Sequence, residues 1–274
     1  MAERVDAALS FGISRTHGGA NLVMASNGFR RALEVNLGSP VRLSVAGSYT
    51  ELVAHVMRHE VDLAWLPPLL HGDLAPRYCE LVAVPEREGT HTYRSCIFVS
   101  RDSGYLKLDD LHGVRAAWID RASASGYLAP LLHLIDRGFL PTRDLVEENF
   151  HGRSFDVCAA VSDGRADFGA CHVSDAAADN LDRAHDDLLR HYPAAKWRLR
   201  PLAVTDRIPP DGVVLTKPSQ QVIAALLSLG DNASGRDAIQ TLMTAERLVA
   251  PSDEVITATA RLIEQRDRQL AAAH

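Results

Sequence analysis

The chain has 274 residues, of which 46% are hydrophobic and 23% charged, and its formal net charge is −6 at pH 7. That length suits one large domain or two smaller lobes. The acidic balance argues against a sequence-independent grip on nucleic acid or an anionic membrane surface, and no apolar run is long enough to insert across a bilayer.

The start, MAERVDAALSFGISRTHGG, lacks a basic segment followed by an apolar run and a cleavage site. With Met1 as the native start the expected location is cytoplasmic; the alternative is a periplasmic chain whose signal has been removed. DAALSFGIS (6–14) reads as a strand, followed by a helix to about Leu33, and VRLSVAG (41–47) as the next strand. SYTELVAHVMRHE (48–60) is helical, with Leu52, Val53, Val56 and Met57 on one face. Glu51, His55 and His59 recur at i, i+4 and i+8, a spacing that can serve a metal. HExxH is absent, however, and the preferred reading is a solvated helix face. VDLAWLPP (61–68) is a buried strand stopped by Pro67 and Pro68. CELVAVPE (79–86) and YRSCIFVSR (93–101) are further strands, and VRAAWID (114–120) precedes a helical YLAPLLHLIDRGF. TDRIPPDGVV (205–214) is a proline-rich turn running into a strand, where Asp211 is either a ligand partner or a turn residue. Ser219 and Ser252 are placed to cap the two helices of the C-terminal third, the first ending at Gly230 and the second carrying Asp253 and Glu254 in its first turn.

This alternation of strands and helices predicts an α/β fold with mainly parallel sheets. Residues 51–65 (ELVAHVMRHEVDLAW) and 156–170 (DVCAAVSDGRADFGA) echo each other: an amphipathic helix, a short turn, then hydrophobic–Asp–hydrophobic–small at a strand. The echo suits two similar lobes, each with its own sheet. Cys79, Cys96, Cys158 and Cys171 form no CxxC pair and are expected as buried, reduced thiols. No metal or cofactor is expected.

RASASGYLAP (121–130) places two serines and a glycine where a strand turns into a helix. A helix N-terminus leaves backbone N–H groups unpaired and carries partial positive charge. Small residues let an anion approach that backbone, and hydroxyls add donors. Serine catalysis needs a base and commonly a GxSxG elbow, and neither pattern is present. On the local sequence an anion site and a plain N-cap at Ser123 or Ser125 stay equally open.

Taken in order, SYTELV…VDLAWLPP (48–68), TYRSCIFVSRDSGYLKLDDLHGVRAAWIDRASASGY (92–127), FHGRSFDVCAAVSDGRADFGA (150–170) and TDRIPPDGVVL (205–215) resemble the phosphonate/phosphite/phosphate-binding proteins of ABC transporters. The resemblance implies a type II periplasmic-binding-protein fold with a ligand cleft between two lobes, 1–92 plus 205–274 and 93–204. It implies an oxyanion cradle from Ser123, Ser125 and the backbone N–H groups of Ala124, Ser125 and Gly126, with Tyr49, Tyr93 and Asp211 lining the site. Ser154 stands where the family often has histidine, Ser174 where it has an acid, and Leu66-Pro67-Pro68 where it has Gly-Asn. Arg153 is a possible fork for phosphonate or carboxylate. The expected function is therefore binding of a small phosphonate- or phosphate-like anion with hinge closure, serving an ABC permease or a sensor partner. The alternatives are a cytoplasmic lyase-type enzyme on the same fold, with Asp211 or His17 as base, or a ligand-sensing module.

Overall fold

A computed structural model describes residues 8–17, 21–178 and 180–272. Its strands are β1 (Leu9–Ser14), β2 (Val41–Ala46), β3 (Leu63–Leu66), β4 (Glu80–Glu86), β5 (Tyr93–Ser100), β6 (Val114–Trp118), β7 (Leu145–Phe150), β8 (Phe168–Ser174), β9 (Leu199–Val204), β10 (Gly212–Leu215) and β11 (Arg247–Val249). The strand read over 6–14 starts at Leu9; Asp6 and Ala7, like most of the leader reading, lie outside the described residues.

The chain divides into two compact units, one from the segment up to His91 together with Pro209 onward, the other Thr92–Ile208. The first unit holds a six-stranded sheet ordered β11-β4-β10-β3-β1-β2. Its central strands β1, β3 and β10 bury both faces, so they read as continuous apolar runs. Leu63, Trp65, Val213 and Leu215 face one core with Phe11, Phe29 and Leu33. Ala64, Leu66 and Val214 face the other with Leu52, Val56 and Cys79. The second unit holds a five-stranded sheet ordered β7-β6-β8-β5-β9. There Cys96, Phe98, Ala117 and Cys171 pack on one side and Ile97, Val99, Ala116 and Trp118 on the other. Each unit is thus a sheet between helical layers.

The sheets are mixed rather than mainly parallel. β1 pairs in parallel with β2 and β3, and β6 with β7 and β8. The antiparallel pairings all involve β4, β5, β9 or β10, the strands flanking the two connections between the units. A strand arriving by such a connection has no helical crossover to return it in parallel.

The internal echo has a structural counterpart. In the first unit, the Ser10 N–H donates to Asp62 Oδ2 at 2.8 Å and the Asp62 N–H to the Ser10 carbonyl at 3.1 Å. In the second, the Arg115 N–H donates to Asp167 Oδ2 at 2.8 Å and the Asp167 N–H to the Arg115 carbonyl at 2.9 Å. Small pairs lie in register above each, Gly12 with Ala64 and Ala117 with Gly169. A Cβ on Gly12 would come within 2.8 Å of Leu52, and one on Gly169 within 2.8 Å of Val157. The echoing helices Tyr49–Met57 and Ser154–Ser162 therefore pack close on their sheets.

The helix over 48–60 stops at Met57, and His59 takes a left-handed φ of 54°. It therefore leaves the face shared by Glu51 and His55. Among the described residues no cluster of three or more His, Cys, Asp or Glu has metal-binding geometry. All four cysteines are free and buried.

Candidate functional site

In an open α/β sheet, ligands bind at the carboxyl ends of the strands, beside the point where strand order reverses. In the second unit that point is β6, which has β7 on one side and β8 on the other. The loops leaving β6 and β7 run together: His151 N–H donates to the Trp118 carbonyl at 2.9 Å and Gly152 N–H to the Ile119 carbonyl at 2.8 Å. Tyr93 begins antiparallel β5 opposite Ser174, the last residue of β8. One end of this sheet thus collects Tyr93, Ser123, Ala124, Ser125, Gly126, Arg153, Ser154 and Ser174.

After β6 the chain makes a π-helical turn, Ala124–Leu128, that continues into the helix Ala129–Ile135. The Ser123 hydroxyl caps it, accepting from Gly126 N–H at 3.0 Å. The expected Gly126 N–H donor is therefore already used. Gly126 is small for another reason: a Cβ there would lie 2.5 Å from the Ile119 side chain, and its carbonyl accepts from Ile119 N–H at 3.0 Å. The Ser125 carbonyl accepts from Ser95 Oγ at 2.6 Å. Among the described residues the N–H groups of Ala124 and Ser125 and the Ser125 hydroxyl engage no partner. These are three donors at a helix start, on residues that are nearly buried. Desolvated donors aimed along the helix axis are what an oxyanion needs.

Arg153 is the N-cap residue of helix Ser154–Ser162, but it is exposed, and its Nε donates to Asp156 Oδ2 at 2.7 Å. Its fork is engaged on its own helix. Ser154 opens that helix and is half-buried. Ser174 donates its N–H and its hydroxyl to buried Asp187, at 2.8 and 2.6 Å.

In the first unit the corresponding point is β1, between β2 and β3. His17, just past β1, stacks on Trp65 at 4.1 Å, and Tyr49 meets it edge-on at 5.1 Å. Asp211, before β10, has Oδ2 3.9 Å from His17 Nε2. Burial pushes the imidazole down to about 3, so it is neutral at physiological pH and this contact is no ion pair. Among the described residues, both His17 ring nitrogens and Trp65 Nε1 are buried without a hydrogen-bond partner. The Asp211 turn is anchored by His71, whose Nε2 lies 3.1 Å from the Pro210 carbonyl. The structure thus gathers Tyr49 and Asp211 around His17. Sequence reasoning named His17 only as a base in the enzyme alternative, and named neither Trp65 nor Ser95 as a site residue. Each sits in an otherwise apolar strand or an unpatterned loop, and only the pairing of distant strands puts it at the site.

Two comparisons bear on this geometry. The model of a family described as ABC transporter, phosphonate, periplasmic substrate-binding protein matches residues 11–256. Among solved structures, PhnD1 from Prochlorococcus marinus in complex with methylphosphonate has a TM-score of 0.80 at 16% identity, covering 95% of this chain and 98% of that one. A binding protein component of an ABC phosphonate transporter from Pseudomonas aeruginosa has a TM-score of 0.76 at 18% identity, covering 97% and 96%. XAC2383 from Xanthomonas citri, bound to chloride ion, has a TM-score of 0.76 at 20% identity, covering 95% and 98%. At these identities the likeness is one of fold.

Proposed function

The chain belongs to the phosphonate-binding family of periplasmic substrate-binding proteins of ABC transporters, and from that premise we propose that its ligand is a small phosphorus oxyanion held at the turn Ser123–Gly126. Its fold is that of type II periplasmic binding proteins. The observation that carries the reading is the set of unengaged donors on Ala124 and Ser125 at the start of a helix. Tyr93 and Ser154, in the same unit as the turn, are proposed to flank the anion; Tyr49 and Asp211 belong to the other unit, where they stand around His17. Arg153, tied to Asp156, contributes long-range charge rather than a bidentate contact.

The family is one of transport binding proteins, so the reading is binding without turnover, and the lyase alternative is not carried forward. Family membership favours a periplasmic location and a permease as the partner that receives the ligand-bound form. No helix among the described residues is long and apolar enough to cross a membrane.

A thermal-shift panel at fixed pH and ionic strength tests the proposal, because a ligand specific for the folded state raises the melting temperature by mass action. Methylphosphonate, phosphite, phosphate, sulfate and acetate are compared. A rise with one or more phosphorus oxyanions is expected; a rise with acetate alone contradicts the assignment.

A further inference from the structure

The donors left free at Ala124 and Ser125 depend on where the next peptide group is held. The peptide joining Ser125 to Gly126 is fixed at both ends. Its N–H donates to Ser123 Oγ at 3.0 Å, and its carbonyl accepts from Ser95 Oγ at 2.6 Å. The Ser123 end is a local cap that the helix start supplies for itself. The Ser95 end comes from a different strand, and its side chain is fully buried.

Ser95 is itself immobilised. Its N–H donates to Thr205 Oγ1 at 3.0 Å, and its carbonyl accepts from Thr205 N–H at 2.9 Å. Thr205 lies just past β9, in the segment by which the chain leaves this unit. Tyr93 and Ile208 bridge the same two segments with bonds of 3.2 and 2.7 Å. The hydroxyl of Ser95 thus reaches the turn from a fixed base.

Resting on the reading above, we infer that Ser95 is a positioning residue for anion binding: its hydroxyl draws the Ser125 carbonyl inward and so keeps the Ala124 and Ser125 N–H groups turned to the ligand. Without that hydroxyl the Ser125 carbonyl is buried and unpaired. Rotating the peptide to find a new donor relieves the defect. That rotation breaks the cap from Ser123 and swings the neighbouring N–H groups off the helix axis. An apolar replacement therefore costs binding geometry as well as stability, whereas threonine retains the hydroxyl.

The experiment is a calorimetric titration of methylphosphonate and of phosphate into wild-type protein and into Ser95→Ala, Ser95→Thr and Val99→Ala. Val99 is fully buried in the same strand and lies outside the turn, so its truncation lowers stability without touching the donors. Ser95→Ala is expected to bind about tenfold to hundredfold more weakly than wild type, in line with loss of one buried hydrogen bond. Ser95→Thr is expected to recover most of the affinity, and Val99→Ala to bind normally despite a lowered melting temperature. Should Ser95→Ala not fold, Ser95→Cys, with a weaker donor, carries the same test. Equal affinity in wild type and the hydroxyl-free variant overturns the inference alone. Affinity that merely follows melting temperature across all variants, Val99→Ala included, also overturns it. A wild-type protein that binds neither anion overturns the functional reading and this inference with it.

Discussion

Ser123 and Gly126 share one hydrogen bond, and that bond decides which donors of the turn remain for a ligand. The sequence RASASGY announces a helix start built of small polar residues, and the anion and N-cap readings both have a part in what is seen. Ser123 is the cap, while Ser125 keeps its hydroxyl and N–H unengaged. The division of labour depends on Ile119 and Ser95, and no local pattern reveals it. Gly126 was expected to open the backbone to the ligand, but it is held small by the Ile119 side chain. Gly126→Ala is therefore expected to lower stability by about 1–3 kcal/mol through overpacking, read as a shift in the denaturant midpoint. An unchanged midpoint means that Ile119 moves aside freely. Ser125→Asp places a carboxylate among the donors, which the new side chain satisfies itself. It is expected to abolish oxyanion binding while retaining the far-ultraviolet circular dichroism of the wild type; retained affinity removes Ser125 from the site.

At the scale of elements, the two Asp-led strands were visible as an echo, and the structure gives the reason for it. Asp62 and Asp167 each close a reciprocal pair of bonds with the neighbouring parallel strand, the carboxylate accepting from a strand N–H and the aspartate N–H donating to the same residue's carbonyl. Asp167 additionally receives the Arg115 guanidinium, with Nη2–Oδ1 at 2.9 Å. Asp167→Ala and Asp62→Ala are each expected to cost about 1–3 kcal/mol, because a strand N–H loses its acceptor. Hydrogen exchange should accelerate at the Arg115 amide in the first variant and at the Ser10 amide in the second. Exchange that accelerates equally in both units means that the aspartates do not act locally. Other elements were hidden for physical reasons. β7, LVEENF, is an edge strand with mostly exposed side chains, so it shows no apolar run. β11 is three residues long. The first helix runs to Leu37, beyond the expected Leu33, because Gly38 rather than a residue within the apolar pattern ends it in a left-handed cap.

At the scale of the whole molecule, the two-sheet α/β class was legible from apolar runs alternating with amphipathic helices. The mixed pairing was not, since strand direction is set by how the chain passes between units and not by any strand's composition. A set of buried histidines gives the molecule a common pH response. Burial holds His17 down to about 3 and His71 to about 4, and it also lowers His133. In the unfolded chain these groups titrate near 6.5. Below that pH the unfolded state binds more protons, so stability rises with pH and is lost as pH falls from about 6.5 toward 4. Each fully neutral histidine contributes a slope of up to about 1.4 kcal/mol per pH unit in that window. The melting temperature is expected to drop between pH 7 and pH 5, and to drop less in His17→Phe, which keeps an aromatic ring against Trp65. A variant with the wild-type slope contradicts this account of His17. The central claim, oxyanion capture at the serine turn, is tested most directly by calorimetric titration of wild type and Ser125→Asp with methylphosphonate and with acetate at one pH and ionic strength. Saturable binding of methylphosphonate to the wild type, lost in Ser125→Asp and absent with acetate, is the predicted result. Binding of acetate alone, or methylphosphonate binding that survives Ser125→Asp, contradicts it.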